Sequence, residues 1–125
     1  MSQYEVWLTK SINDLKSAKI LLDSEESVLD TAIYHTHQCA EKALKAYLVF
    51  HKKPIVRTHN LMILVDMCSD IDDRFKVFLD DAEILTPYNT VFRYPDILLE
   101  PDKEDVSEAI KKAEDILNFV TKLFK

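Results

Sequence analysis

Ala32 to Leu48 reads AIYHTHQCAEKALKAYL, and the periodicity of this stretch decides the class of fold. At about 100° per residue, Ala32, Ile33, Thr36, Ala40, Ala43, Leu44 and Tyr47 fall on one side of a helix, with Leu48 at its margin. That is the pattern of a helix packed into a core. His35, Gln38, Lys42 and Lys45 recur at helical spacing within roughly 80° of arc. An imidazole, an amide and two ammonium groups therefore share one stripe, beside Glu41. Such a stripe is either a solvated outer face, as is usual opposite a core, or a polar groove for an anionic ligand or a partner.

The rest of the composition agrees with helices. The chain has 125 residues and no glycine. Hairpins, bulges, Walker loops and dinucleotide fingerprints all draw on glycine, so an all-α fold is expected, with residues 1–125 forming one domain. Cys39 and Cys68 make neither a disulfide framework nor a CxxC site, and both sit among apolar residues as small buried hydrophobes. No apolar run reaches the length of a spanning helix, and the N-terminal residues do not form a signal peptide. A cytoplasmic location and no membrane contact are the expectation.

The net charge of −6 argues against indiscriminate nucleic-acid binding. Its distribution is uneven. Lys42, Lys45, Lys52, Lys53 and Arg57 follow one another without an acid between Lys42 and Val65. Asp66, Asp70, Asp72, Asp73, Asp80, Asp81 and Glu83 then outweigh Arg74 and Lys76. A basic patch on an acidic body suits a localised anion or electrostatic steering of a partner.

Along the chain, Ser2 and Glu5 form a capping box for a first helix whose core face is Tyr4, Trp7, Leu8, Ile12, Leu15, Ala18 and Leu22. Ser27 and Asp30 offer a second box for the helix quoted above, which makes a helical hairpin with the first. Pro54 ends that second helix near His51 to Lys53. Thr58 or Asn60 caps a third helix through Leu61, Met62, Leu64, Val65 and Cys68, and His59 reads as part of that cap. A fourth pattern runs through Phe75, Phe78, Leu79, Ala82, Ile84 and Leu85. Pro87 and Pro95 allow no more than a turn of helix around Tyr88 to Phe92. Asp102 caps a last helix that buries Val106, Ile110, Ala113, Ile116, Leu117, Val120 and Leu123 or Phe124. The expected architecture is an up-and-down bundle of four or five helices.

Catalytic signatures are sparse. His35 and His37 point about 160° apart on one helix and cannot chelate together. No HExxH or cysteine pair completes a ligand set, so neither a metal nor a cofactor is expected. What remains is basic and aromatic: His35, Gln38, Lys42 and Lys45, then Arg57 and His59, then Arg93 and Tyr94. These eight are the candidate ligand-binding residues. Arg93 stands between Phe92 and Tyr94, just before Pro95, where its guanidinium is suited to fork a phosphate or stack on a base. The structural alternative pairs it with Asp96 or with a helix C-terminus, bracing the loop.

Three stretches together resemble the HEPN domain family, found in prokaryotes and higher eukaryotes. Ala40-Glu41-Lys42-Ala43-Leu44-Lys45-Ala46 is similar to the family's AEKALKA signature. Arg57-Thr58-His59-Asn60-Leu61 is similar to its THxL loop, and Arg93-Tyr94-Pro95-Asp96 to its RYP motif. The resemblance covers essentially the whole chain. It implies a dimerising helical bundle with a nucleotide-binding groove at or near the dimer interface. It also implies a minimal nucleotidyltransferase as partner, in a toxin–antitoxin-type two-component system. Many members are metal-independent ribonucleases that use an arginine followed at short distance by a histidine. This sequence departs from that motif: His59 follows Arg57 too closely, and no histidine follows Arg74 or Arg93. A non-catalytic or weakly catalytic nucleotide-binding partner is therefore the leading expectation. The alternatives are a ribonuclease toxin, including composite chemistry from His35 and Arg93, and a purely structural interaction module.

Overall fold

The computed structural model describes residues 1–95 and 99–124. It is all-α: α1 (Gln3–Asp23), α2 (Leu29–Phe50), α3 (Leu61–Ile71), α4 (Leu79–Leu85) and α5 (Lys103–Leu123), with 3-10 turns at Asp73–Phe78 and Thr86–Asn89. No strand occurs among the described residues. None of the described helices is long and apolar enough to cross a membrane.

The ends of these helices follow the local chemistry, with two exceptions. At α1 the Glu5 carboxylate accepts from the Ser2 amide (3.1 Å) and the Ser2 hydroxyl (2.6 Å). At α5 Asp102 and Asp105 cap each other's amides, at 2.7 and 3.1 Å. Asn60 caps α3 by accepting from the amides of Met62 and Ile63. His59 takes no part in that cap, contrary to the sequence expectation, because Glu41 engages its ring. The expected box of Ser27 and Asp30 does not form either. Val28 holds the N-cap position of α2, and Ser27 Oγ instead donates to the carbonyls of Leu22 and Ser24. Those carbonyls, left without partners as α1 ends, take the hydroxyl first.

The exit of α2 is a Schellman turn. Lys53 N–H returns to the Leu48 carbonyl and Lys52 N–H to that of Val49, both at 2.9 Å. Lys52 occupies the left-handed position with φ 59°. Glycine usually fills that place, and this chain has none. Pro54 follows and turns the chain away.

The fourth apolar pattern is not one helix. Asp72 accepts from the amide of Arg74 and opens a 3-10 turn over Asp73–Phe78 before α4 begins at Leu79. Residues three apart eclipse in a 3-10 turn, which brings Phe75 and Phe78 to the same side, where both are buried. Ile84, expected in the core, stays 45% exposed.

The helix α2 is the axis of the bundle, packed on α1 and α5, with α3 and the Thr86–Asn89 turn on its remaining sides. Every residue of its expected apolar face is buried: Ala32, Ile33, Thr36, Ala40, Ala43, Leu44, Tyr47 and Leu48. Cys39 and Cys68 join them, and burial pushes both thiols up to about 12. Protonated at neutral pH, they are poor nucleophiles.

Candidate functional site

Because α2 is surrounded, its polar stripe is covered along part of its length. Four carboxylate contacts organise it. His35 Nδ1 donates to Asp14 Oδ1 (2.8 Å), and Lys42 Nζ donates to Asp14 Oδ2 (2.7 Å). One turn further, Lys45 Nζ donates to Glu41 Oε2 (3.2 Å), and His59 Nδ1 donates to Glu41 Oε1 (2.7 Å). Lys45 also lies 5.7 Å from the centroid of the Trp7 ring, a cation–π contact that covers its charge with indole. The stripe is thus neutralised from inside by one carboxylate of α1 and one of α2.

The open part of the site lies beside the loops. Tyr34, on the first turns of α2, carries the guanidinium of Arg93 stacked over its ring, with Cζ 4.0 Å from the centroid. Arg93 comes from the turn after Thr86–Asn89, where Val91 N–H bonds the Pro87 carbonyl and Arg93 N–H bonds that of Thr90. Two cavities meet at this stacked pair. One, of about 340 Å³, is lined by Tyr34, His59, Asn89, Thr90, Arg93 and Tyr94. The other, of about 300 Å³, is lined by Asp30, Thr31, Tyr34, His35 and Arg93. Each therefore has one imidazole in its wall. In both rings Nδ1 donates to a carboxylate, which leaves Nε2 as the nitrogen with a lone pair to accept with.

Of the eight candidate residues, His35, His59, Arg93 and Tyr94 line these cavities. Gln38 and Lys45 do not. Both are buried beneath the elements packed on this part of α2, Gln38 against His37 and Asn89 and Lys45 against Glu41. Lys42 is turned to Asp14. Arg57 is exposed on its loop, outside both linings. The alternative pairing of Arg93 with Asp96 lies outside the described residues. Among the described residues, no group of three or more His, Cys, Asp or Glu is placed to hold a metal ion.

Two contributors were not anticipated. Asp14 is buried in α1, yet Trp7, Ser11, Asp14 and Ala18 share one face within about 60°, and an acid inside an apolar face calls for a buried cation. Tyr34 lies beside the core face of α2, and nothing local marks it as a platform for an arginine far along the chain.

The HEPN domain matches residues 4–123. The chain is 27% identical over 137 residues to a protein of Methanocaldococcus jannaschii described as "Putative toxin MJ1304", covering 97% of this chain and 88% of that one. The crystal structure of ST0689, an archaeal HEPN homologue, superposes with a TM-score of 0.77 at 28% identity, over 100% of both chains. That of TT1696 from Thermus thermophilus superposes with a TM-score of 0.86 at 23% identity, over 98% of each, and shares the fold.

Proposed function

The chain belongs to the HEPN domain family, and from that premise we propose that it binds the phosphates of a nucleotide or a short RNA at Arg93. It does so as one member of a toxin–antitoxin-type pair whose other member is a minimal nucleotidyltransferase. The observation that carries the binding is the stacking of Arg93 on Tyr34 where two cavities join. The ring holds the guanidinium plane in place, and the N–H edges of that plane suit a bidentate grip on phosphate oxygens. Tyr94 adds an aromatic face on one side, suited to stacking on a base. The relative described as a toxin supports the toxin–antitoxin setting. A reading frame for a minimal nucleotidyltransferase beside this one is the expected neighbour, and the pair is expected to work with a homodimer of this chain.

The test is calorimetry at low salt, where phosphate contacts are strongest, with ATP, GTP and a short single-stranded RNA. Arg93→Ala is expected to weaken binding about tenfold or more, since hydrogen bonds to charged groups contribute about 1.5–3 kcal/mol. Arg74→Ala keeps wild-type affinity, because Arg74 is bound to Asp72 away from the cavities. No binding by the wild-type chain under these conditions would sink the proposal.

A second reading, ribonuclease activity, is favoured by one observation: His35 and Arg93 share a cavity although they are far apart in sequence. Asp14 orients the imidazole as a general base requires, and Arg93 would stabilise charge gathering on the phosphoryl oxygens. RNA cleavage in EDTA would then fall about a hundredfold in His35→Ala, and less in Asp14→Asn. Cleavage that persists in both variants assigns the activity elsewhere.

A further inference from the structure

The two loop segments that supply His59 and Arg93 are joined through buried side chains of α2 by one chain of hydrogen bonds. His37 is fully buried, and its Nε2 lies 2.8 Å from the carbonyl of His59. A carbonyl only accepts, so Nε2 carries the ring proton and Nδ1 is left as an acceptor. The amide nitrogen of Gln38 meets that Nδ1 at 3.2 Å, and it also donates to Asn89 Oδ1 at 3.2 Å. Both hydrogens of the Gln38 amide are thereby used.

We propose that His37, Gln38 and Asn89 form a positioning relay, which sets the loop bearing His59 and the turn bearing Arg93 in one register on α2. Its functional meaning rests on the Arg93 groove being the ligand site. An apolar pair at positions 37 and 38 would fill the same space. It would, however, leave the His59 carbonyl and the Asn89 side chain without these partners and tie neither loop to the helix. The relay ends on the backbone of one cavity residue and on the side chain of another, so a change at one end reaches both walls.

The arrangement works only with a neutral His37. A proton on Nδ1 would point an N–H at the Gln38 N–H, and two donors cannot share that gap. Burial pushes His37 below the ordinary imidazole range. The bond to the His59 carbonyl and the charge of Glu41 oppose that shift, while His59 and Lys45, the other titratable groups facing the ring, reinforce it. The unfolded chain therefore takes up this proton more readily than the folded one. The relay is intact above the ordinary imidazole range and is lost as pH falls through the lowered folded value.

Amide hydrogen exchange on the full chain, without ligand, tests this directly. In Gln38→Leu and Asn89→Leu the amides of Val91 and Arg93 are expected to exchange about tenfold faster, with those of α1 and α5 unchanged. Asn89→Asp keeps the acceptor and restores wild-type protection. In the wild type the same two amides lose protection on acidification, after correction for intrinsic rates, and this step is missing in Asn89→Leu. Unchanged exchange in both leucine variants would overturn the relay. Acceleration spread evenly over all helices would also overturn it, by making the network ordinary packing. If the wild-type chain fails to bind ATP in the titrations above, the groove reading falls, and exchange still decides the relay.

Discussion

Glu41→Ala is expected to lower the stability of the folded chain by about 3–5 kcal/mol, the usual cost of breaking a buried ion pair by removing one partner. The reason is Lys45, which is only 7% exposed and has Glu41 as its carboxylate partner. Without that carboxylate, an ammonium group is left among α1, α2 and the Trp7 ring with no counter-charge. His59 suffers less, since its side chain is 64% exposed and can turn to water. The loss is in the pair, not in the space it occupies. Glu41→Leu combined with Lys45→Met, two apolar groups of similar length, is therefore expected to recover most of the stability, as replaced buried pairs often do. Urea unfolding of Glu41→Ala and of the double variant at neutral pH, beside the wild type, measures both effects. Equal stability of Glu41→Ala and wild type would mean that Lys45 reaches solvent in the folded chain.

The same variant separates what the sequence discloses from what it hides. The core face of α2 is legible because burial imposes a 3.6-residue period, and each residue so placed is buried. The caps at Ser2, Asn60 and Asp102 are legible because the donor and acceptor lie within three residues of each other. His35, His59, Arg93 and Tyr94 stand out by their chemistry and lie in cavity walls. The polar stripe, by contrast, does not present all its charges outward. Whether Lys45 faces a ligand or a carboxylate depends on what covers α2. The covering elements are the loop at His59 and the helix bearing Trp7, both fixed by long-range packing that periodicity does not encode. Ser27 departs from expectation for a related reason, since its hydroxyl had two candidate uses and the end of α1 captured it. The stacking of Arg93 on Tyr34 joins residues far apart in the chain, and no local pattern points to it.

Phe75→Ala is the matching expectation for the side of the bundle away from the groove. Phe75 is fully buried, with its ring 4.6 Å from that of Tyr47 and 4.9 Å, edge to face, from that of Phe119. It thereby ties the 3-10 turn at Asp73–Phe78 to α2 and α5. Truncation removes the transfer energy of the ring and leaves a cavity between two helices that cannot close on it, for a loss of about 3–5 kcal/mol. Phe75→Leu keeps more of the volume and is expected to cost about 1–1.5 kcal/mol. Neither variant touches Tyr34, His59 or Arg93. ATP affinity, measured where the variant is still folded, is therefore expected to match that of the wild type. Glu41→Ala differs, since it frees His59 from the wall of the larger cavity and so changes affinity as well as stability. A drop in ATP affinity in Phe75→Leu would show that the groove depends on the packing of the whole bundle. Separate behaviour of the two sites places ligand recognition in α2 and its two flanking loops.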